Sequence, residues 1–188
     1  MLSPLRYPEL SELENDLLRF TTSLEALASL LSLTLSDYHC DHISLRTNHE
    51  VTAQRWRQAF TLHHELISDK IINGRPILIF RLNTPLQIAG LVIPCVELPF
   101  PSKKQYPHEG WEHVELVVSA QEGRDYATQI AHMLPQGRHT QRQLKIKVSE
   151  PKGVGERLSN PTYAVSNGDV TIKFHPHSIE AVIMSELD

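Results

Sequence analysis

A five-residue pattern of acid, histidine, aliphatic, any residue and leucine occurs twice, as Asp41-His42-Ile43-Ser44-Leu45 and as Glu112-His113-Val114-Glu115-Leu116. Each copy opens a similar order of elements. Such a repeat constrains a chain more than its composition does, because neighbouring copies of a unit bury a shared core. In the first half, alternation marks a strand over 41–46, followed by a helix over 49–62 and a strand over 64–72. The Asn73-Gly74 turn leads to a strand over 76–82. After the Thr84-Pro85 break an apolar strand lies within 88–98, where Pro94 argues for a sheet edge or a bulge. The second half reads as strand 111–119, helix 121–134, strand 143–149, a loop over 151–161, and strands 163–165, 170–175 and 179–184. Val96-Glu97-Leu98 then lies over Ile179-Glu180-Ala181. The separation from His42 to Glu97 is 55 residues and from His113 to Glu180 is 67, and the 151–161 loop accommodates the difference.

Residues ahead of the repeat read as helix. Leu10, Leu13, Leu17, Leu18 and Phe20 recur near helical spacing, and Thr22 followed by Glu25 has the form of a capping box opening a second helix over 24–33. The expected organisation is a helical extension over 1–37 and a body over 38–188. The body divides into module one at 38–100, a Pro-rich linker at 101–109 and module two at 110–188.

A formal net charge of −4 with scattered lysines and arginines leaves no electrostatic footprint for nucleic acid or an anionic membrane. No apolar run approaches the roughly 18 residues of a transmembrane helix. The apolar stretch 24–35 follows acids and lacks the basic leader of a secretory signal. Two cysteines, Cys40 and Cys95, are too few for a disulfide framework. The expectation is a cytoplasmic protein, monomer or homodimer, without nucleic-acid or membrane partners.

Eleven histidines in this length invite a search for metal ligands. His42 and His113 occupy equivalent places in the repeat, each on the more polar face of its strand: His42 with Ser44 and Arg46, His113 with Glu115. Glu97 and Glu180 stand in apolar runs, where a carboxylate without a partner is costly. Two imidazoles and two carboxylates suit one divalent ion such as Zn, Ni, Fe or Mn. His39, His63, His64, His132 and His139 read as loop or surface residues, and His175-Pro176-His177 as an exposed turn. Arg46, Lys145 and Lys173 are the cations expected to bind an anionic substrate if their strand faces point inward.

Two βαβββ modules with a first-strand histidine and a fourth-strand glutamate resemble the vicinal-oxygen-chelate proteins, which include glyoxalase I, epimerases, extradiol dioxygenases and bleomycin-resistance proteins. The helical N-terminus with 41–46 and 111–116 resembles the bacterial YecM family. The resemblance implies an α+β fold in which both modules form a curved mixed sheet around a metal pocket. It also implies metal ligation by His42, Glu97, His113 and Glu180. Four ligands are similar to the glyoxalase and epimerase branch, with isomerase or lyase chemistry on a small oxygenated metabolite and Glu97 or Glu180 as base. Two alternatives stay open: a three-ligand Fe(II) dioxygenase-like enzyme, and a non-catalytic module that binds a small molecule.

Overall fold

A computed structural model describes residues 3–135, 144–150 and 158–185. His139, Gln143 and most of the loop expected at 151–161 lie outside the described residues. The strands are β1 (His39–Arg46), β2 (Glu65–Ile72), β3 (Arg75–Ile88), β4 (Leu91–Pro99), β5 (Gly110–Val117), β6 (Lys145–Ser149), β7 (Thr162–Ser166) and β8 (Thr171–His175). The helices are α1 (Ser11–Leu30), α2 (Glu50–His63), α3 (Tyr126–Met133) and α4 (Ile179–Ser185). The fold is α+β, with an N-terminal helix and one open mixed sheet of eight strands in the order β2-β3-β4-β1-β5-β8-β7-β6.

That order is the repeat made visible. In each module the first strand runs parallel to the fourth, with the third and second outside it. The modules join through the antiparallel pair β1–β5, where Ile43 faces Val114, His42 faces Glu115 and Ser44 faces His113. A local two-fold through Ile43 and Val114 therefore exchanges His42 with His113 and Ser44 with Glu115. Side chains alternate across a strand, so this register sorts the sheet into two faces. Ile43, Leu45, Val96, Val114, Leu116, Ile172 and Phe174 point to one face and are buried under α1, α2 and α3. His42, Ser44, Arg46, Glu97, His113, Glu115, Lys173 and His175 point to the other.

Helix α1 turns Leu13, Phe20, Leu24, Leu27 and Ala28 inward. Complete burial of a leucine or phenylalanine side chain contributes about 1.5–3 kcal/mol. Its docking on module two is polar as well. Trp111 N–H donates to Asp16 Oδ2 at 3.0 Å, Arg19 pairs with Asp16 at 2.7 Å, and Trp111 Nε1 donates to the Leu13 carbonyl at 2.8 Å. Gly110 has φ +142° and a Cβ there would stand 2.4 Å from Asp16, so this contact requires glycine. The expected break between two N-terminal helices is absent. Thr22 Oγ1 donates to the Leu18 carbonyl at 2.8 Å, four residues back, and one helix runs through the capping-box sequence.

Two strand expectations change. β3 continues past Thr84-Pro85 to Ile88, and the register shift between Arg81 and Leu86 lies opposite Pro94. The bulge, not a sheet edge, accommodates the proline, and β4 is interior. Residues 179–185 form α4, not a strand. Ser178 Oγ accepts from the Ala181 N–H at 3.2 Å, an N-cap contact, and Ile179, Val182 and Ile183 follow helical spacing. Module two therefore ends its four strands at β8. Among the described residues no helix is long and apolar enough to cross a membrane.

Candidate metal centre

At the seam between the modules, His42, His113 and Glu115 each present one ligand atom within 4.8 Å of the others, and all three are buried. Glu115 Oε1 lies 3.2 Å from His113 Nε2 and 3.5 Å from His42 Nε2. Glu97 approaches from β4, with its carboxylate oxygens 3.9 Å from His42 Nε2 and 3.9 Å from His113 Nε2. The bulge at Pro94 leaves Glu97 facing the cluster.

The acid that precedes each histidine sets its orientation. Asp41 Oδ2 lies 2.9 Å from His42 Nδ1, and Glu112 Oε2 lies 2.7 Å from His113 Nδ1. With Nδ1 engaged by a carboxylate, each ring turns its Nε2 toward the cluster, the arrangement that orients metal-bound imidazoles. His42 Nε2 is buried without a hydrogen-bond partner among the described residues. A buried, unsatisfied nitrogen beside a second imidazole and a carboxylate fits a divalent ion that takes nitrogen and oxygen donors.

The remaining groups balance charge. Ser44 Oγ donates to Glu97 Oε1 at 2.5 Å and accepts from Arg46 at 2.9 Å. Arg46 also stands 3.3 Å from Glu112 and 3.6 Å from Glu97, with its guanidinium over the Tyr106 ring at 5.6 Å. Lys173 Nζ donates to Glu115 Oε1 at 2.7 Å. Burial alone would favour neutral His42, but Glu115 and Asp41 outweigh it and hold the imidazolium up to about 10. Burial likewise pushes Glu97 upward, and His42, Lys173, His113 and Arg46 overcome it, leaving the carboxyl at about 2. For Glu115, Lys173 and His42 overcome burial and keep the carboxyl well below its usual range. Burial pulls His175 below its ordinary value.

Of the residues expected at the site, His42, Glu97, His113, Arg46 and Lys173 are brought together. Glu180 is not: it lies on α4, half-exposed, with Oε1 2.9 Å from Arg81 Nε. The fourth-strand equivalent of Glu97 is Lys173, because Ser44 pairs with Glu97 on β4 as Glu115 pairs with Lys173 on β8. Lys145 shares the cluster's face through the row His113, Thr171, Ser166 and Lys145, but it is exposed on the edge strand β6. Two site residues were missed as such. Glu115 carried a legible signal, its shared face with His113. His175, expected in an exposed turn, instead ends β8 on the face of Lys173 and is 1% exposed.

The model of a protein family described as "YecM protein" matches residues 9–186. Protein YecM from Escherichia coli (strain K12) is 45% identical over 178 residues, covering 95% of this chain and 94% of that protein. An uncharacterized protein of Haemophilus influenzae (strain ATCC 51907 / DSM 11121 / KW20 / Rd) is 39% identical over 182 residues, 91% of this chain and 92% of that one. The solved structure "Structural Genomics, Protein EC4020" superposes with a TM-score of 0.89 at 40% identity, over 99% of this chain and 97% of the other. The chain belongs to the YecM family.

Proposed function

We propose that the protein is a metal-dependent enzyme acting on a small, anionic, oxygenated metabolite, with His42, His113 and Glu115 as ligands of one divalent ion and Glu97 beside them. The observation that carries this reading is the buried convergence of two Nε2 atoms and a Glu115 oxygen, with both Nδ1 atoms already engaged by acids. Charge supports it. Four carboxylates (Asp41, Glu97, Glu112, Glu115) and two basic side chains (Arg46, Lys173) surround the cluster, a formal balance of −2 with the histidines counted as neutral. Uncompensated charge away from water is costly, and a divalent ion matches this balance. Zn, Ni, Fe and Mn all accept this donor set.

When bound, such an ion supplies Lewis-acid polarisation of a substrate oxygen and stabilises an oxyanion. The chain's own groups do the rest. Arg46 and Lys173 offer cations to a substrate carboxylate or phosphate, with Lys145 available to the far end of a longer substrate. Glu97 stands beside the cluster as a carboxylate, and would be the group that takes a proton from a substrate carbon whose neighbouring carbonyl the ion would polarise. That assignment gives isomerase or lyase chemistry.

One observation favours a second reading. His42, His113 and Glu115 make a two-histidine, one-carboxylate set of the kind found in Fe(II) oxygenases, and Glu97 is already engaged by Ser44 and Arg46. Elemental analysis of purified protein separates the two. We expect about one equivalent of metal, lost in His42→Ala, His113→Ala and Glu115→Ala and unchanged in Glu180→Ala. Loss in Glu97→Ala supports the isomerase-like site, and retention with Fe(II) and oxygen uptake supports the oxygenase-like one. A folded His113→Ala that keeps its metal overturns both.

A further inference from the structure

His175 is 1% exposed, and neither ring nitrogen has a hydrogen-bond partner among the described residues. A buried polar group left unsatisfied is destabilising, so its retention calls for a reason. The repeat does not supply one, since the corresponding residue of module one, two past Glu97 on β4, is Pro99. Position supplies it. His175 Nδ1 stands 3.4 Å from Glu115 Oε2, and its Nε2 stands 3.6 Å from Asp41 Oδ2. The same Asp41 oxygen lies 2.9 Å from His42 Nδ1, and His42 Nε2 faces Glu115 Oε1 at 3.5 Å. His42, Asp41, His175 and Glu115 thus form a closed ring of alternating imidazoles and carboxylates, with β8 supplying the fourth member.

We propose that His175 is a positioning residue for the metal centre. It faces the far oxygen of Glu115, so that Oε1 is presented to the His42–His113 pair, and it links that carboxylate to Asp41, which orients His42. The role rests on the proposed triad, but neither carboxylate oxygen that His175 faces is the one offered to the ion. A carboxylate free to rotate spends part of its time with both oxygens misdirected, and loss of such an orienting partner typically weakens metal binding about 10–100-fold.

The test is a competition titration of Zn(II) against a chelating dye, with Co(II) absorption as a second readout of ligand geometry. His175→Ala is expected to weaken Zn(II) binding by about tenfold or more and to alter the Co(II) spectrum. His175→Asn, whose amide reaches the Nδ1 position facing Glu115, is expected to recover most of the affinity, and His175→Gln much less. Thermal unfolding of the metal-free variants reports on the fold separately. A folded His175→Ala that binds Zn(II) as tightly as wild type, with the same Co(II) spectrum, overturns the role of His175 and leaves the triad standing. Wild-type protein that takes up neither ion overturns the triad reading, and this role with it.

Discussion

Lys173 occupies in module two the place that Glu97 holds in module one, and the exchange explains the composition of the cluster. Module one offers His42, Ser44 and Glu97, while module two offers His113, Glu115 and Lys173. The carboxylate of module two has moved from the fourth strand to the first, and an ammonium stands where the symmetric carboxylate would be. Lys173 Nζ contacts Glu115 Oε1, the oxygen nearest both histidine Nε2 atoms, so an ion bound there would compete with the ammonium for one oxygen. Like charges a few ångströms apart repel by about 1–4 kcal/mol at the dielectric of a protein surface. Lys173→Met is therefore expected to bind a divalent ion about tenfold more tightly or better, a difference of about 1.4 kcal/mol. Weaker binding in that variant would show that Lys173 holds Glu115 in place instead. Sequence alternation already placed Glu115 beside His113 on one strand face. It could not tell Glu115 from Glu180 as the ligand, because that choice depends on which residue of a distant strand lies alongside.

Helix α4 is the element whose character decided the site. In sequence, Glu180 within an apolar run looked like a buried strand carboxylate, whereas Ser178 as a cap and the spacing of Ile179, Val182 and Ile183 describe a short helix. The helix also touches the metal centre indirectly. Ile179 N–H donates at 2.8 Å to Asp41 Oδ2, the oxygen that lies 2.9 Å from His42 Nδ1. Docking of α4 and orientation of His42 share one acceptor. A chain ending at Ser178 is expected to lose about tenfold or more in metal affinity through this shared atom, measured against a chelator of known strength. Equal affinity in the shortened chain would separate α4 from the site. Pro94 and Thr22 carry the complementary lesson. Pro94 was legible as an edge or a bulge and became a bulge once β3 supplied the extra residues. Thr22 bonds back along α1 because tertiary burial of Phe20, Leu24 and Leu27 keeps the helix continuous through it.

Across the described residues, one continuous core runs from Leu13 and Leu24 of α1 through Phe60 of α2 to Phe80 and Phe174 of the sheet, so the N-terminal helix shares its packing with both modules. The opposite face of the sheet collects the charge. In metal-free protein His42, raised to about 10 against an ordinary 6.5, holds its proton through neutral pH. Its folded pKa lies above its unfolded one, so its charge contributes stability fully below about pH 6.5 and progressively less as pH rises through about 10. A divalent ion held by His42 would need the neutral imidazole and would displace that proton, so on the proposed reading stabilisation by the ion grows over the same interval. The gap in Tm between metal-loaded and chelator-treated protein is expected to widen from about pH 6.5 to about pH 9. A gap that narrows over that range would mean that His42 does not exchange a proton for the ion.

Periodicity and the acid-histidine repeat by themselves determined the element order of module one, the equivalence of His42 and His113 and the polar face on which the site would lie. These are local properties: side chains alternate with a period of two, and a duplicated unit repeats its pattern wherever it falls. Tertiary structure alone decided that Glu115 joins the triad, that Lys173 stands opposite Glu97 in the two-fold, that His175 is buried in the ring and that Glu180 is outside it. The first three outcomes depend on register between strands far apart in the chain, where a shift of one residue would turn every side chain to the other face, and the last on residues 179–185 folding as helix α4.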